Sequence, residues 1–482
     1  MLERFQKRYH IRLGLAPTRR ANFSETAFRL DRAQQHKQAI EEKLRRMGVD
    51  FVNLDFLNEE GLIYAGRDAE AAARYFKEQQ IDALFIPHVN FGCEEAVCRL
   101  ADLVDKPVLL WAPRDEAPQP DGYRFRDAQC GLFATSKVLS RFGVKFTYIT
   151  NCWIDDPAFE KGMRTFLSAA GVVKAMNRPR IGQISVRPNA FWSVKCNEGE
   201  LLERFGVQVV PITLVELQER FQNLFSAKGP EFEEELARIR GKINRIDVEK
   251  EYLDKMCSMK LAIWQWAEEE GLSAAATQCW APFTAISDIA PCYMMGDSTD
   301  DGFPVICECD LHGALTATMA LGANGGSEPP FFADLTIRHP ENDNAELLWH
   351  CGVFPPSLVG EKGVTLGCHQ GKGYKCAGQF ELKSGDLTIT RFDAVNGEYK
   401  LLMGEGRTTI GPYSRGSYVW AEFDDWKKWE HKFIYGPYIH HCTGLYGSYA
   451  AALYEACKYF PGGITPDPVT PDEDTIHRIL RG

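Results

Sequence analysis

The opening third of the 482-residue chain alternates apolar, β-rich runs with amphipathic stretches, and this alternation constrains the fold more than any other feature. Residues 11–17, 49–54, 83–87, 108–112 and 145–150 read as strands, and 32–47, 68–79, 94–104 and 134–142 read as the helices between them. Strand, helix of about 9 to 16 residues and strand again make a βαβ unit. Its right-handed crossover yields a parallel sheet covered by helices on both faces. Such a sheet binds ligands beyond the carboxyl ends of its strands, without specifying which ligand.

After a helical stretch at 157–175 the pattern restarts. Residues 180–186, 207–212 and 273–278 read as strands, and 199–205, 214–225, 231–243 and 248–270 as helices. Beyond Gly325 long amphipathic periods vanish and Gly, Pro, Thr and aromatic residues rise. Short strands are expected at 347–353, 378–382, 387–394, 398–405 and 418–423, with turns such as Ser384-Gly385-Asp386 and Asn396-Gly397, and a closing helix at 448–459. The expected fold class is α/β. Two open parallel-sheet, Rossmann-like domains (1–175 and 176–325) are followed by a β-rich C-terminal domain (326–482), with Glu308 in the second and Asp334, His350 and His441 in the third.

Several functions lose support at once. Neither α/β region carries G-x-G-x-x-G after its first strand and no G-x-x-x-x-G-K-[ST] occurs, so dinucleotides and nucleoside triphosphates lack their usual cradle of glycine amides. Lys+Arg 55 against Asp+Glu 66 leaves a net charge of −11, which disfavours a nucleic-acid partner. No apolar run reaches about 18 residues, so no membrane-spanning helix is expected. The opening Met-Leu-Glu-Arg-Phe-Gln-Lys-Arg-Tyr-His lacks the apolar stretch of a signal peptide, and a cytoplasmic location is expected. The 15 cysteines sit mostly in apolar segments and read as buried thiols of a reducing compartment. Cys307-x-Cys309, Cys368 and Cys376 lack paired C-x-x-C spacing, so no structural zinc is expected.

Chemistry-bearing residues concentrate between 308 and 441. Glu308 and Asp310 end an apolar run just before the helix-like Leu311-His312-Gly313-Ala314-Leu315, where a carboxylate either faces the crevice at the sheet edge or caps the helix. Asp334 lies inside Phe331-Phe332-Ala333-Asp334-Leu335, where burial requires a pairing partner or a cation unless the residue only ends a strand. His350 closes an apolar stretch and by itself reads as a core histidine. His440 and His441 are adjacent, so in a strand they point to opposite faces and one of them enters a given site. Together, two carboxylates and two imidazoles form the donor set of a Mn²⁺, Fe²⁺ or Co²⁺ centre with room for substrate oxygens. His312 is expected on a solvated or interdomain side, and His339 and His369 on the surface.

The ordered run Glu308-Cys-Asp-Leu-His-Gly-Ala-Leu, Ala333-Asp334-Leu, His350-Cys-Gly and His440-His441, preceded by Gln278-Cys279-Trp280, resembles the metal-site pattern of the L-fucose isomerase and L-arabinose isomerase superfamily. The resemblance covers about residues 277–447. It implies an aldose-ketose isomerase with Mn²⁺, or another divalent ion such as Co²⁺ or Fe²⁺, held by Glu308, Asp334 and His441. His350 matches the extra ligand of the arabinose branch or touches O1. Glu308 and Asp334 become the acid/base pair that moves a proton between C2 and C1. His440 orients its neighbour or touches the sugar, and Gln278 and Trp280 wall the pocket.

An aspartate as second acid follows the fucose branch, which makes L-fucose or D-arabinose the expected substrate. A 6-substituted, anionic hexose such as sulfoquinovose is the runner-up, motivated by Arg19, Arg20, Arg187 and Lys195 near strand ends; L-arabinose is a further alternative. The resemblance also implies a homo-oligomer, commonly a hexamer, in which the N-terminal domain of one subunit, with Arg19, His88 and Asn90 at its strand ends, covers the active site of another. Rival readings are a sugar-binding protein without turnover and a metal-dependent hydrolase or aldolase.

Overall fold

The computed structural model describes residues 9–21, 28–371 and 373–481. Of the described residues, 10–170 with 474–481 form one compact unit, and 171–473 with Tyr9 form the other. In the first, strands β1 (Arg12–Leu15), β2 (Asp50–Val52), β3 (Ala83–Pro87), β4 (Val108–Pro113) and β5 (Phe146–Cys152) form a parallel sheet in the order β2-β1-β3-β4-β5. Because successive strand residues face opposite sides, Leu13, Leu15, Phe85, Leu109 and Trp111 pack with helices Leu30–Arg46 and Pro157–Ala175. Leu84, Ile86, Val108 and Leu110 pack with Gly66–Glu78, Glu94–Val104 and Ala128–Phe142 on the other face. The strand order reverses between β1 and β3, which opens a crevice at their carboxyl ends.

The second unit starts with another parallel sheet. Its strands are β6 (Arg180–Ile184), β7 (Gln208–Ile212), β9 (Ala274–Thr277) and β10 (Val305–Ile306), in the order β10-β9-β6-β7, with the reversal at β6 and β9. The β-rich part follows as β11 (Phe331–Arg338), β12 (Ala345–His350), β13 (Thr365–Cys368), β14 (Lys375–Glu381), β15 (Asp386–Val395), β16 (Glu398–Thr409), β17 (Ser417–Glu422), β18 (His441–Tyr446) and β19 (Thr465–Pro468). Pairing runs β16-β15-β18-β11-β12-β17 and returns to β16 through Arg407↔Glu422 and Thr409↔Trp420, so these strands close into a barrel. Closure removes the exposed edges of the ring. The β15–β16 hairpin turns at Asn396 (φ 54°) and Gly397 (φ 77°), the positive φ pair that a two-residue turn needs.

The α/β character and the change to β-rich structure match the sequence expectation. The second sheet and the barrel lie within one compact unit, where the sequence reading divided the chain at 325. Strand β8 (Arg245–Ile246), from the helix-rich stretch, pairs with β13 of the β-rich part. Helix Cys292–Asp300 is buried on nearly all sides, so it shows no amphipathic period to read. Among the described residues no helix is long and apolar enough to cross a membrane.

Candidate active site

Strand β10 ends in a single 3₁₀ turn, Cys307–Cys309, that places Glu308 at φ 59° and Cys309 at φ 55°. Two successive non-glycine residues in the left-handed region cost on the order of 1–2 kcal/mol each. The surroundings fix this turn. Asp310 accepts the Gly313 N–H at 2.9 Å and so caps helix Leu311–Ala323. A Cβ at Gly313 would lie 2.8 Å from Asp310 Oδ2 and from the Phe332 ring.

Three neighbouring barrel strands supply the other groups. Asp334 on β11 stands in register with His441 on β18, and His350 ends β12. Glu308 Oε2 lies 3.2 Å from His441 Nε2. Asp334 Oδ1 lies 3.6 Å from His441 Nε2, 3.8 Å from His350 Nε2 and 3.9 Å from His440 Nε2. Glu308 Oε2, Asp334 Oδ1, His350 Nε2 and His441 Nε2 are all buried without a hydrogen-bond partner. Each such atom costs about 1–3 kcal/mol. Their convergence, and their mix of carboxylate and imidazole, fits a Mn²⁺-, Fe²⁺- or Co²⁺-class ion.

The imidazoles are not equivalent. His441 Nδ1 donates to Asp310 Oδ2 at 2.9 Å, so the neutral ring turns the Nε2 lone pair towards Glu308 and Asp334; a carboxylate behind a ligating histidine is a common metal-site support. Burial pushes the Asp310 carboxyl up, but fully buried Arg391 and His441 outweigh it and hold it far below the usual carboxylate range. Arg391 also pairs with Asp393, which accepts His312 Nδ1 at 2.9 Å. His350 is oriented the other way: the Cys351 backbone N–H donates to Nδ1 at 2.9 Å, so the neutral ring carries its proton on Nε2. Burial raises Glu308, yet the nearby His441 and His350 imidazoles bring it below its ordinary value. For Asp334 burial prevails over the same imidazoles and its value is raised.

Aromatic rings wall the site. Phe332 meets His441 edge-on at 4.9 Å and lies 5.5 Å from His350. Trp280 Nε1 donates to Glu308 Oε1 at 3.3 Å, and Phe191 packs on Trp280 at 5.2 Å and on His441 at 6.2 Å. Gln278 follows β9 and its Oε1 accepts the Ser185 hydroxyl at 3.4 Å. Phe191 belongs to the segment after β6 that also carries Arg187 and Lys195. Arg187 Nη1 is held by the carbonyls of Pro188, Asn189 and Phe191 at 3.2–3.3 Å.

The structure thus gathers Glu308, Asp334, His350, His440, His441 and Trp280, with Gln278 at an adjacent strand end. Three expectations change. His312 is buried, not solvated, because Asp393 engages it. His440 lies just before β18, outside its pleat, so both adjacent histidines approach Asp334. His369 is half-buried beside Cys292 and Cys351. Sequence reading missed Phe191, Arg391 and Asp393, and left Asp310 open between the crevice and a helix cap, where the structure gives it the cap and a bond to His441 as well. The available signal was Arg391 and Asp393 two apart in an apolar strand, hence on one face.

Arg19, His88 and Asn90 form a separate group in the first unit, where Thr18 bridges to Ile63 and His88 beside the β1/β3 crevice. Arg19 is paired in two-pronged fashion with Glu60. Asn90 Oδ1 accepts the Arg20 and Gly92 N–H groups at 3.0 and 3.1 Å. His88 Nδ1 donates to the Phe91 carbonyl at 3.1 Å, and burial lowers the ring to about 4. His88 Nε2 and Asn90 Nδ2 are buried without partners, one an acceptor and the other a donor.

Residues 14–177 match the family described as "Fucose/sulfoquinovose isomerase, N-terminal domain". A sulfoquinovose isomerase of Priestia aryabhattai is 28% identical over 331 residues, covering 68% of this chain and 72% of that protein. Another, of Alkalicoccus urumqiensis, is 25% identical over 332 residues, covering 69% and 73%.

Proposed function

The chain belongs to the fucose/sulfoquinovose isomerase family, and from that premise we propose that it is an aldose-ketose isomerase of a sulfonated hexose of the sulfoquinovose type, with a divalent ion, Mn²⁺ first, held by Glu308, Asp334 and His441. The relatives move the substrate away from L-fucose or D-arabinose, which the aspartate at 334 had suggested, to the anionic alternative. The single observation that carries the chemistry is the convergence of buried, partnerless carboxylate and imidazole atoms.

When bound, such an ion supplies Lewis acidity to the two sugar oxygens and orients them. The residues do the remainder. Glu308, held ionised, takes the C2 proton and returns it to C1, which leaves charge on the enediolate oxygens between the two steps. Asp334 exchanges a proton between O1 and O2. His350 donates Nε2–H to a sugar oxygen, and Phe332, Phe191 and Trp280 exclude water from the proton path. Arg187 and Lys195, on the segment that carries Phe191, supply cationic charge for the sulfonate.

The test is chelator-treated protein incubated with sulfoquinovose or L-fucose, with and without Mn²⁺, reading ketose by NMR. Turnover restored by Mn²⁺ and a preference for the sulfonated sugar above about 10²-fold in kcat/KM are expected. Full turnover without metal removes the ion from the account, and a preference for L-fucose removes the substrate.

His88 Nε2 and Asn90 Nδ2 are taken as hydrogen-bonding groups that the first unit lends to the active site of a neighbouring subunit in a homo-oligomer. Mixing His88→Ala and Glu308→Gln variants under subunit exchange then restores part of the activity. A fully active monomer in light scattering rejects the shared site. The thiols, all free among the described residues, support a cytoplasmic location.

A further inference from the structure

Beside the carboxylate-rich centre a second set of donors converges from segments far apart in sequence. Cys292 opens helix Cys292–Asp300, Cys351 follows β12, and His369 follows β13. Their ligand atoms lie within 4.8 Å of one another, with the Cys292 and Cys351 sulfurs 3.9 Å apart.

The spacing is informative. A disulfide holds its sulfurs about 2 Å apart, whereas a tetrahedral site with zinc–sulfur bonds of about 2.3 Å sets its sulfurs about 3.8 Å apart. Cys292 and Cys351 therefore already stand at the edge length of a tetrahedral thiolate site. His369 is half-buried at its rim, and its Nδ1 accepts the exposed Gly371 N–H at 3.1 Å. Soft thiolates select ions that a carboxylate-rich centre does not, so the two groups sort different metals.

We propose that Cys292, Cys351 and His369 form a second metal site, which takes a thiophilic divalent ion of the Zn²⁺ class and leaves a fourth position open. Each ligating cysteine releases its proton to solvent as its sulfur coordinates. The ion ties Cys351 to helix Cys292–Asp300 and to the segment after β13, next to His350 of the candidate active site. Cys351 supplies both the N–H that orients His350 Nδ1 and a sulfur 3.2 Å from that nitrogen. Its role is to fix the imidazole, independently of which sugar the enzyme takes.

Co²⁺ is the probe, added to chelator-treated full-length protein. A thiolate site gives a sulfur-to-cobalt charge-transfer band in the near ultraviolet; a carboxylate-imidazole site gives none. The band is expected in wild type and in Glu308→Gln, and is expected to disappear in Cys292→Ser and in Cys351→Ser, while Cys98→Ser keeps it. Wild type alone provides the second readout: Zn²⁺ slows alkylation of half-buried Cys351, mapped by peptide mass, at least tenfold relative to chelated protein. Cobalt bound without the band, a band that survives in Cys292→Ser, or equal alkylation with and without Zn²⁺ overturns the proposal. The alkylation result decides the matter if the serine variants do not fold.

Discussion

Both parallel sheets gather polar side chains at the carboxyl ends of their strands, at the strand-order reversal in the first and beyond edge strand β10 in the second, and they equip these places differently. At the ends of β1 and β3, Arg19 is neutralised by Glu60, Asn90 holds two backbone N–H groups, and the partnerless buried atoms belong to neutral His88 and Asn90. At the end of β10 the backbone is bent through two positive-φ residues, and the partnerless atoms belong to acids and imidazoles. The first arrangement suits recognition of hydroxyl groups; the second suits holding a cation and moving protons. Strain and charge are concentrated where the chemistry is placed.

The sharpest way to break this contrast is to neutralise the acids. Glu308→Gln and Asp334→Asn are expected to lower kcat by about 10²–10⁴-fold or more with unchanged circular dichroism. His88→Ala, which deletes one neutral acceptor, is expected to cost about 10-fold in kcat/KM. If His88→Ala is as damaging as Glu308→Gln, the division of labour between the sheets is wrong.

Asp310 offers a finer test, because it acts through His441. Asp310→Asn is expected to weaken Mn²⁺ about 10–100-fold, the usual consequence of removing a support behind a ligand. The loss should appear as a higher Mn²⁺ requirement with a near-normal kcat at saturation. A loss of kcat that excess Mn²⁺ leaves unchanged points to direct contact with substrate instead.

The smallest effect concerns stability of the metal-free protein. Burial lowers His441, but its hydrogen bond to Asp310 and the charge of Glu308 nearby prevail and raise it from 6.5 to about 9. A raised folded-state value means that protonation favours the fold. The stabilisation is complete below about 6.5 and is lost as pH rises through about 9, at most about 3 kcal/mol. Tm of chelated protein should fall across that window, and the His441→Gln variant should lack the slope.

The same contrast governs what the sequence reveals. In the first unit each strand pairs with a partner one helix away, so periodicity alone locates the elements; helix Glu94–Val104 begins and ends where the apolar period does. In the barrel β11 lies between β18 and β12, and β16 closes on β17, pairings that no local pattern encodes. Glu308, Asp334, His350 and His441 were each weak alone as acids and histidines at the ends of apolar runs, and were singled out by their order together with the family resemblance. Their support was not: Arg391 reaches Asp310 across 81 residues, and Phe191 reaches His441 from the segment after β6. The thiol group was hidden for the same reason, since its cysteines follow no ligand spacing until the chain folds.

The central claim is that the convergence of Glu308, Asp334 and His441 is a metal-dependent isomerase centre. Titrating chelator-treated protein with Mn²⁺, while following bound metal and ketose formation from sulfoquinovose in the same samples, tests it most directly. Turnover should rise in proportion to occupancy of one Mn²⁺ per chain in wild type, and Glu308→Gln should lose both binding and turnover. Ketose formation that is complete before Mn²⁺ binds, or Mn²⁺ binding that Glu308→Gln leaves intact, contradicts the account.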